Sequence, residues 1–187
     1  IIMWFLPANR YAAVDAKQKP ELQKLSMPAW CSWVMIIQIS IVYFFATIAK
    51  FYPDWMSGNF VSELLRNSAP NEFLQNLFAQ KWFYMFITYA GMTFDLLVVP
   101  LLLFKRTRTI AFIASLIFHI FNSIILQIGI FPFFALSFVV FFYPPETIRR
   151  LFLRKKPAFT ADSSTYEGKN ILLYFFVPYL ILLVTLP

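Results

Sequence analysis

The chain has 187 residues, of which 60% are hydrophobic, 20% aromatic and only 13% charged. A soluble domain carries roughly 25% charged residues, so this composition indicates an integral membrane protein. The net charge of +7 does not mark a nucleic-acid binder, because the basic residues fall in short loops between apolar runs. One cysteine, Cys31, and one histidine, His119, leave no internal disulfide and no thiolate or two-histidine metal spacing, so no metal is expected.

Hydropathy places predicted spans at about 29–50, 82–104, 109–127, 131–143 and 170–187. The fourth is short, follows a tight "IGIFP" turn, and reads as tilted or re-entrant. Residues 157–170, "PAFTADSSTYEGKN", form a linker-like stretch before the fifth. Backbone groups in lipid must be paired within the segment, and the runs lack the alternation of barrel strands. The fold class is therefore all-α, a polytopic transmembrane helical bundle forming a single domain over 1–187, with membrane lipid as its surroundings. No start methionine opens the chain and an apolar run closes it, so it reads as a piece truncated at both ends.

Polar side chains recur at membrane depth with helical spacing. Ser40, Tyr43, Thr47 and Lys50 follow one another at three, four and three residues, and so share a face of the first span. Thr88 and Asp95 are seven apart in the second span, with Gly91 between them allowing close helix approach. Ser115, His119 and Asn122 repeat the pattern in the third. An ionised group in mid-span costs a few kcal/mol on insertion scales, so such groups face a bundle interior or a wet cavity. The same residues also read as interhelical hydrogen-bonding groups with a purely structural role. Lys50 likewise has two readings. At a span end a lysine snorkels to the interface. Where water is scarce, an amine is disfavoured as ammonium and its neutral form is a competent general base. The "PDW" turn that follows, Pro53 to Trp55, reads by itself as a proline stop and an interfacial tryptophan.

The stretch "VYFFATIAKFYPDWMSG", residues 42–58, resembles the signature of the vitamin K-dependent gamma-glutamyl carboxylases and their bacterial relatives, a "VYFxAGxxKL…DW…G" pattern. "FLPANRYAAVDA" at 5–16 and "FHIFNSIILQIGIFPF" at 118–133 resemble two further blocks of that family in the same order. "GMTFDLLVVPLLLFKRTR" and "FFYPPETIRR" fit the flanking segments, so the resemblance covers nearly the whole chain. It implies an integral-membrane enzyme that couples oxygenation of reduced vitamin K to carboxylation of protein glutamate. In that chemistry a lysine deprotonates vitamin K hydroquinone, O2 reacts with the anion, and the strong base so formed removes a glutamate γ-proton before CO2 is captured. The implied cofactor is vitamin K hydroquinone, with O2 and CO2 as co-substrates, and the implied partner is a glutamate-containing protein or peptide.

Residue by residue, Lys50 matches the family's base lysine. His119 and Asn122 match the His and Asn of the "FHxxNS" block, which the resemblance makes pocket-lining groups. Asp95 and Tyr43 join them as candidate substrate- or cofactor-binding residues, and Asp54, Trp55 and Gly58 carry the "DW…G" part of the motif. Arg10 stands where the animal enzymes have a histidine; bacterial relatives commonly have arginine there, so the chain looks bacterial. Thr47 replaces the glycine of the "AG" pair. Two other readings stand beside the carboxylase: a quinone- or lipid-modifying enzyme of the same domain family that does not carboxylate, and a non-enzymatic transport or assembly protein. Transport favours repeated halves, and the sequence shows no internal repeat.

Thirteen of the sixteen Lys and Arg residues fall in 1–28, 105–108 and 144–169, which the predicted spans put on one side; Lys50, Arg66 and Lys81 fall on the other. The positive-inside rule assigns the thirteen to the cytoplasm and residues 51–81 to the outside. With Cys31 replaced, a cysteine introduced by Asn67→Cys is therefore expected to react with an impermeant thiol reagent in intact spheroplasts. Labelling only after lysis would invert the topology.

Overall fold

The computed structural model describes residues 13–22 and 28–152, together with positions 6, 154, 178 and 181. Arg10 and all but two residues of the predicted fifth span lie outside the described residues. The chain divides into two compact units, residues 1–34 with 149–187 and residues 35–148, and each is taken by itself. In the first, a short helix α1 (Val14–Gln18) leads into a 3-10 turn at Pro20–Leu22.

Everything else described is helix or turn, with no strand among the described residues. The long apolar elements are α2 (Ala29–Ile48), α6 (Lys81–Leu103) and α7 (Arg108–Ile124). α2 and α6 are each long and apolar enough to cross a bilayer, since 20 residues rise about 30 Å. α7, with 17 residues, is shorter. After it come α8 (Phe131–Phe138), a 3-10 continuation over Val139–Phe142, and α9 (Pro145–Phe152); this broken run supplies a third candidate span. The protein is an all-α membrane bundle. Its lipid-facing positions carry large apolar side chains, among them Phe86, Leu96, Ile110, Ile117 and Phe133, all exposed.

Residues 51–80, read from the sequence as a long loop, form three short helices: α3 (Pro53–Met56), α4 (Asn59–Ser68) and α5 (Glu72–Phe78). Pro53 supplies the fixed φ suited to a first helical turn. Asn71 caps α5, its side-chain oxygen accepting from Leu74 N at 2.9 Å. α4 is amphipathic; Val61 and Leu65, one turn apart, are buried with Phe78 against Phe83, Tyr84 and Ile87 of α6, Phe121 of α7 and Ile125 just after it. A second cluster joins Ile36, Ile39 and Tyr43 of α2 to Val98, Val99 and Leu102 of α6, Ala111 of α7, and Phe138, Val139 and Phe142. One cluster packs the amino-terminal half of α6 and the other its carboxyl-terminal half.

The carboxyl-terminal end of α6 is secured locally. Its last carbonyls are taken by the next turn: Thr107 Oγ1 donates to Leu101 O at 2.7 Å, and Arg108 Nε donates to Leu102 O at 2.9 Å. The Arg108 guanidinium also lies 5.6 Å from the Tyr143 ring centroid. Pro100 sits inside α6 without ending it, the helix running on to Leu103. Gly91 does not mark a tight helix contact; an added Cβ would meet only Phe118 Cε2, at 3.7 Å. The close approach is at Gly58. Its φ is +76°, and a Cβ there would meet Met85 Sδ at 2.8 Å and Tyr84 Cδ2 at 2.9 Å.

Gly58→Ala therefore meets both a left-handed backbone and a clash with α6. It is expected to destabilise the protein by about 1–3 kcal/mol, read as a lower thermal midpoint in detergent. An unchanged midpoint would mean that α3 and α4 are not held against α6 through this residue.

Candidate functional site

The site begins where α2 ends. Ile48 is the last residue of α2, and Lys50 follows in the turn, its N–H donating to Thr47 O at 3.0 Å. Leaving the helix at this point turns the lysine side chain inward, where its Nζ donates to Asp95 Oδ2 of α6 in a direct ion pair. The Lys50 side chain is 16% exposed and that of Asp95 only 4%. The pair is thus at the edge of the bundle on the lysine side and fully inside it on the aspartate side.

Trp55 of α3 completes this half of the site. Lys50 Nζ lies 5.2 Å from its ring centroid, within reach of a cation–π interaction. The indole is held by stacking on Phe60, with centroids 5.1 Å apart. Three backbone features hold α3 in place: Gly58 N donates to Trp55 O at 2.9 Å, Gly58 touches α6 closely, and Tyr89 Oη of α6 donates to Met56 O at 3.3 Å. The "DW…G" motif therefore works as a unit. Gly58 lets the turn dock, and the docked turn puts the aromatic face over the lysine. Asp54, exposed on the outside of that turn, takes no part in the pair.

Two turns back along α2, Tyr43 Oη is 2.8 Å from His119 Nε2 of α7, and both residues are buried. The His119 ring is enclosed by aromatics, with Phe94 edge-on at 5.8 Å, Phe118 at 5.3 Å and Phe131 at 6.3 Å. Its second nitrogen, Nδ1, is buried without a hydrogen-bond partner. In an imidazole with one proton, one nitrogen donates and the other accepts. Whichever way the Tyr43 bond runs, Nδ1 is left with an unused capacity that costs free energy unless something bonds to it.

The sequence stripes contain two kinds of residue that spacing alone does not separate. Thr47, Thr88 and Ser115 are buried, but each hydroxyl donates to the carbonyl four residues earlier on its own helix: Tyr43 O at 2.9 Å, Tyr84 O at 2.7 Å and Ala111 O at 2.8 Å. Ser40 does the same with Ile36 O at 2.6 Å. Those hydroxyls are satisfied within their helices. Lys50 with Asp95 and Tyr43 with His119 are the pairs that join different helices. Asn122 is half-buried and belongs to neither. The pairing of Lys50 with Asp95 was not readable from the sequence, which placed each on its own face; opposite charge on neighbouring spans was the available signal.

Residues 1–146 match the HTTM domain family. The chain belongs to the HTTM domain family. This is the domain found in vitamin K-dependent gamma-glutamyl carboxylase, so the resemblance carried by the three sequence blocks holds at the level of the family. No solved structure matches the chain.

The Lys50–Asp95 pair has a measurable signature. Removing one partner leaves the other charge buried and uncompensated, at a cost of about 3–5 kcal/mol, whereas replacing both by apolar residues restores much of it. Asp95→Leu is expected to lower the melting midpoint strongly, and Lys50→Met combined with Asp95→Leu to recover most of the loss. Additive losses in the double variant would show that the two side chains do not interact.

Proposed function

We propose that this HTTM domain protein is a carboxylase-like membrane enzyme in which Lys50 is the general base and Asp95 its proton partner. The observation that carries the reading is the ion pair itself: a lysine, at the position of the family's base, is turned inward on to a buried carboxylate under an aromatic face. A snorkelling lysine needs none of these contacts. The pair holds one exchangeable proton and no net charge, which lets it persist where single charges are costly. Passing that proton from Nζ to the Asp95 carboxylate leaves a neutral amine, and the amine can then accept a proton from an acidic hydroxyl.

The residues present suit a reduced naphthoquinone such as vitamin K hydroquinone. The aromatic ring of residues about His119 and its unused Nδ1 offer an apolar enclosure with one hydrogen-bonding point, the usual composition of a small-molecule site. Tyr43 orients the imidazole, and the bundle excludes water that would quench a strong base. When bound, the hydroquinone supplies with O2 the base strength that proton removal from a glutamate γ-carbon requires, and CO2 is the carboxyl donor. Arg10 and Asn122 remain candidate contacts for the glutamate-containing protein or peptide. The topology inferred from the basic residues puts Lys50 on the extracytoplasmic side, and the bacterial-type Arg10 fits a bacterial inner membrane.

Incorporation of labelled CO2 into glutamate peptide by the full-length protein, given reduced vitamin K, tests this reading. Lys50→Arg keeps a cation over Trp55 but does not release its proton, so activity is expected to fall by at least about 100-fold. Lys50→Ala is expected to be inactive and partly rescued by small amines, in proportion to their neutral fraction. Wild-type carboxylation by a well-folded Lys50→Arg variant would remove the general base. Oxygenation of the quinone without carboxylation would favour the non-carboxylating enzyme.

A further inference from the structure

An open apolar groove of about 590 Å3 runs along α6 and α7, with Trp82, Phe86, Tyr89, Phe94, Leu97 and Ala114 among its walls. Its size is within the range of roughly 300–1,000 Å3 found for small-molecule sites. A groove on membrane-spanning helices is covered by hydrocarbon of some kind, and what distinguishes this one is Phe94. On one side that ring lines the groove. On the other it stands edge-on to Tyr43, with centroids 6.0 Å apart, and edge-on to His119 at 5.8 Å. It also stacks on Phe118 at 4.0 Å. A single aromatic layer thus separates the groove from the buried Tyr43–His119 pair.

At Gly91, one turn before Phe94, no backbone of α7 closes on α6, and the nearest group is the edge of Phe118 at 3.7 Å. The Phe94–Phe118 stack is therefore what fills the α6–α7 seam at this level. Both rings of the stack touch the His119 ring, whose Nδ1 is buried and without a partner.

We propose that the groove holds the hydrocarbon tail of a ligand whose polar head group hydrogen-bonds His119 Nδ1, and that Phe94 is the movable partition through which the head group enters from the bilayer. The inference rests on the quinone reading above and adds to it where the tail lies and how the ligand arrives. A tail left in the groove stays in hydrocarbon throughout, so only the head group is transferred. Phe94 closes over it again by returning to its stack on Phe118. Ala90 and Ala114 are small walls of the same groove, and their size sets the width of tail it accepts.

Full-length protein in phosphatidylcholine nanodiscs, with a naphthoquinone bearing a diazirine in its isoprenoid tail, tests this directly. Photolysis and peptide mapping are expected to place the tail on α6 and α7 groove positions, displaced by unlabelled tailed naphthoquinone. Ala114→Trp, which fills the groove away from Lys50 and Asp95, is expected to cut this labelling about tenfold while binding of a tail-less naphthoquinone persists. Ala90→Trp blocks the opposite wall and serves if the first variant does not fold. Labelling spread evenly over lipid-facing positions such as Ile113 and Ile117, unchanged by either block, would overturn the proposal, the groove then holding bulk lipid. Saturable head-group binding with the tail mapped elsewhere would overturn it alone. Absence of saturable binding by tailed and tail-less naphthoquinones alike would overturn the quinone reading with it.

Discussion

A lysine and an aspartate, 45 residues apart in the chain, share a contact inside a membrane protein. That contact fixes much of what surrounds it. Either charge alone is costly in hydrocarbon, so α2 and α6 must align with Lys50 and Asp95 at one depth. Alignment at that depth puts Tyr43, two turns back along α2, level with His119 of α7, and the two apolar clusters hold the register. The pair gives specificity more than stability, since a well-packed apolar pair of similar volume would serve as well energetically.

The outer helices α3, α4 and α5 extend the same constraint. They pack Val61, Leu65 and Phe78 on to α6 and α7, and Gly58 brings the turn close enough for Trp55 to cover the lysine. A segment that reads as a connection between two spans is a small helical cap. Its contribution to the site is one aromatic face, and its own core is what keeps that face in place.

The architecture was readable from the sequence because it depends on length and hydropathy, which are local properties. α2 and α6 fall where uninterrupted apolar runs of about 20 residues fall. The buried faces also followed from spacing: Tyr43, Thr47, Asp95, Ser115 and His119 are all inside. Spacing places a residue on a face and says nothing about what meets it there. It could not separate Thr47, Thr88 and Ser115, whose hydroxyls are satisfied by their own helices, from Tyr43 and His119, whose polar atoms reach across. The helices of 51–80 were missed for a related reason. They are short and only half apolar, and they owe their stability to the surface of α6 and α7, which no local window contains. The Lys50–Asp95 contact belongs to the same class, being a tertiary event between distant residues.

The order of the chain gives that contact a history. α2 is made before α6, and at synthesis rates of 5–20 residues per second the 45 residues from Lys50 to Asp95 take roughly 2–9 s. During that interval the lysine lacks its partner Asp95, and an ammonium at the end of a span rests in the aqueous headgroup layer. Asp95 arrives in mid-helix and needs a counter-charge as soon as α6 enters the bilayer. The two are therefore drawn below the headgroups together, as a neutral unit, when α6 docks. Formation of the ion pair and insertion of the second helix become one step, and a chain that fails to form the pair keeps a misplaced charge at the membrane.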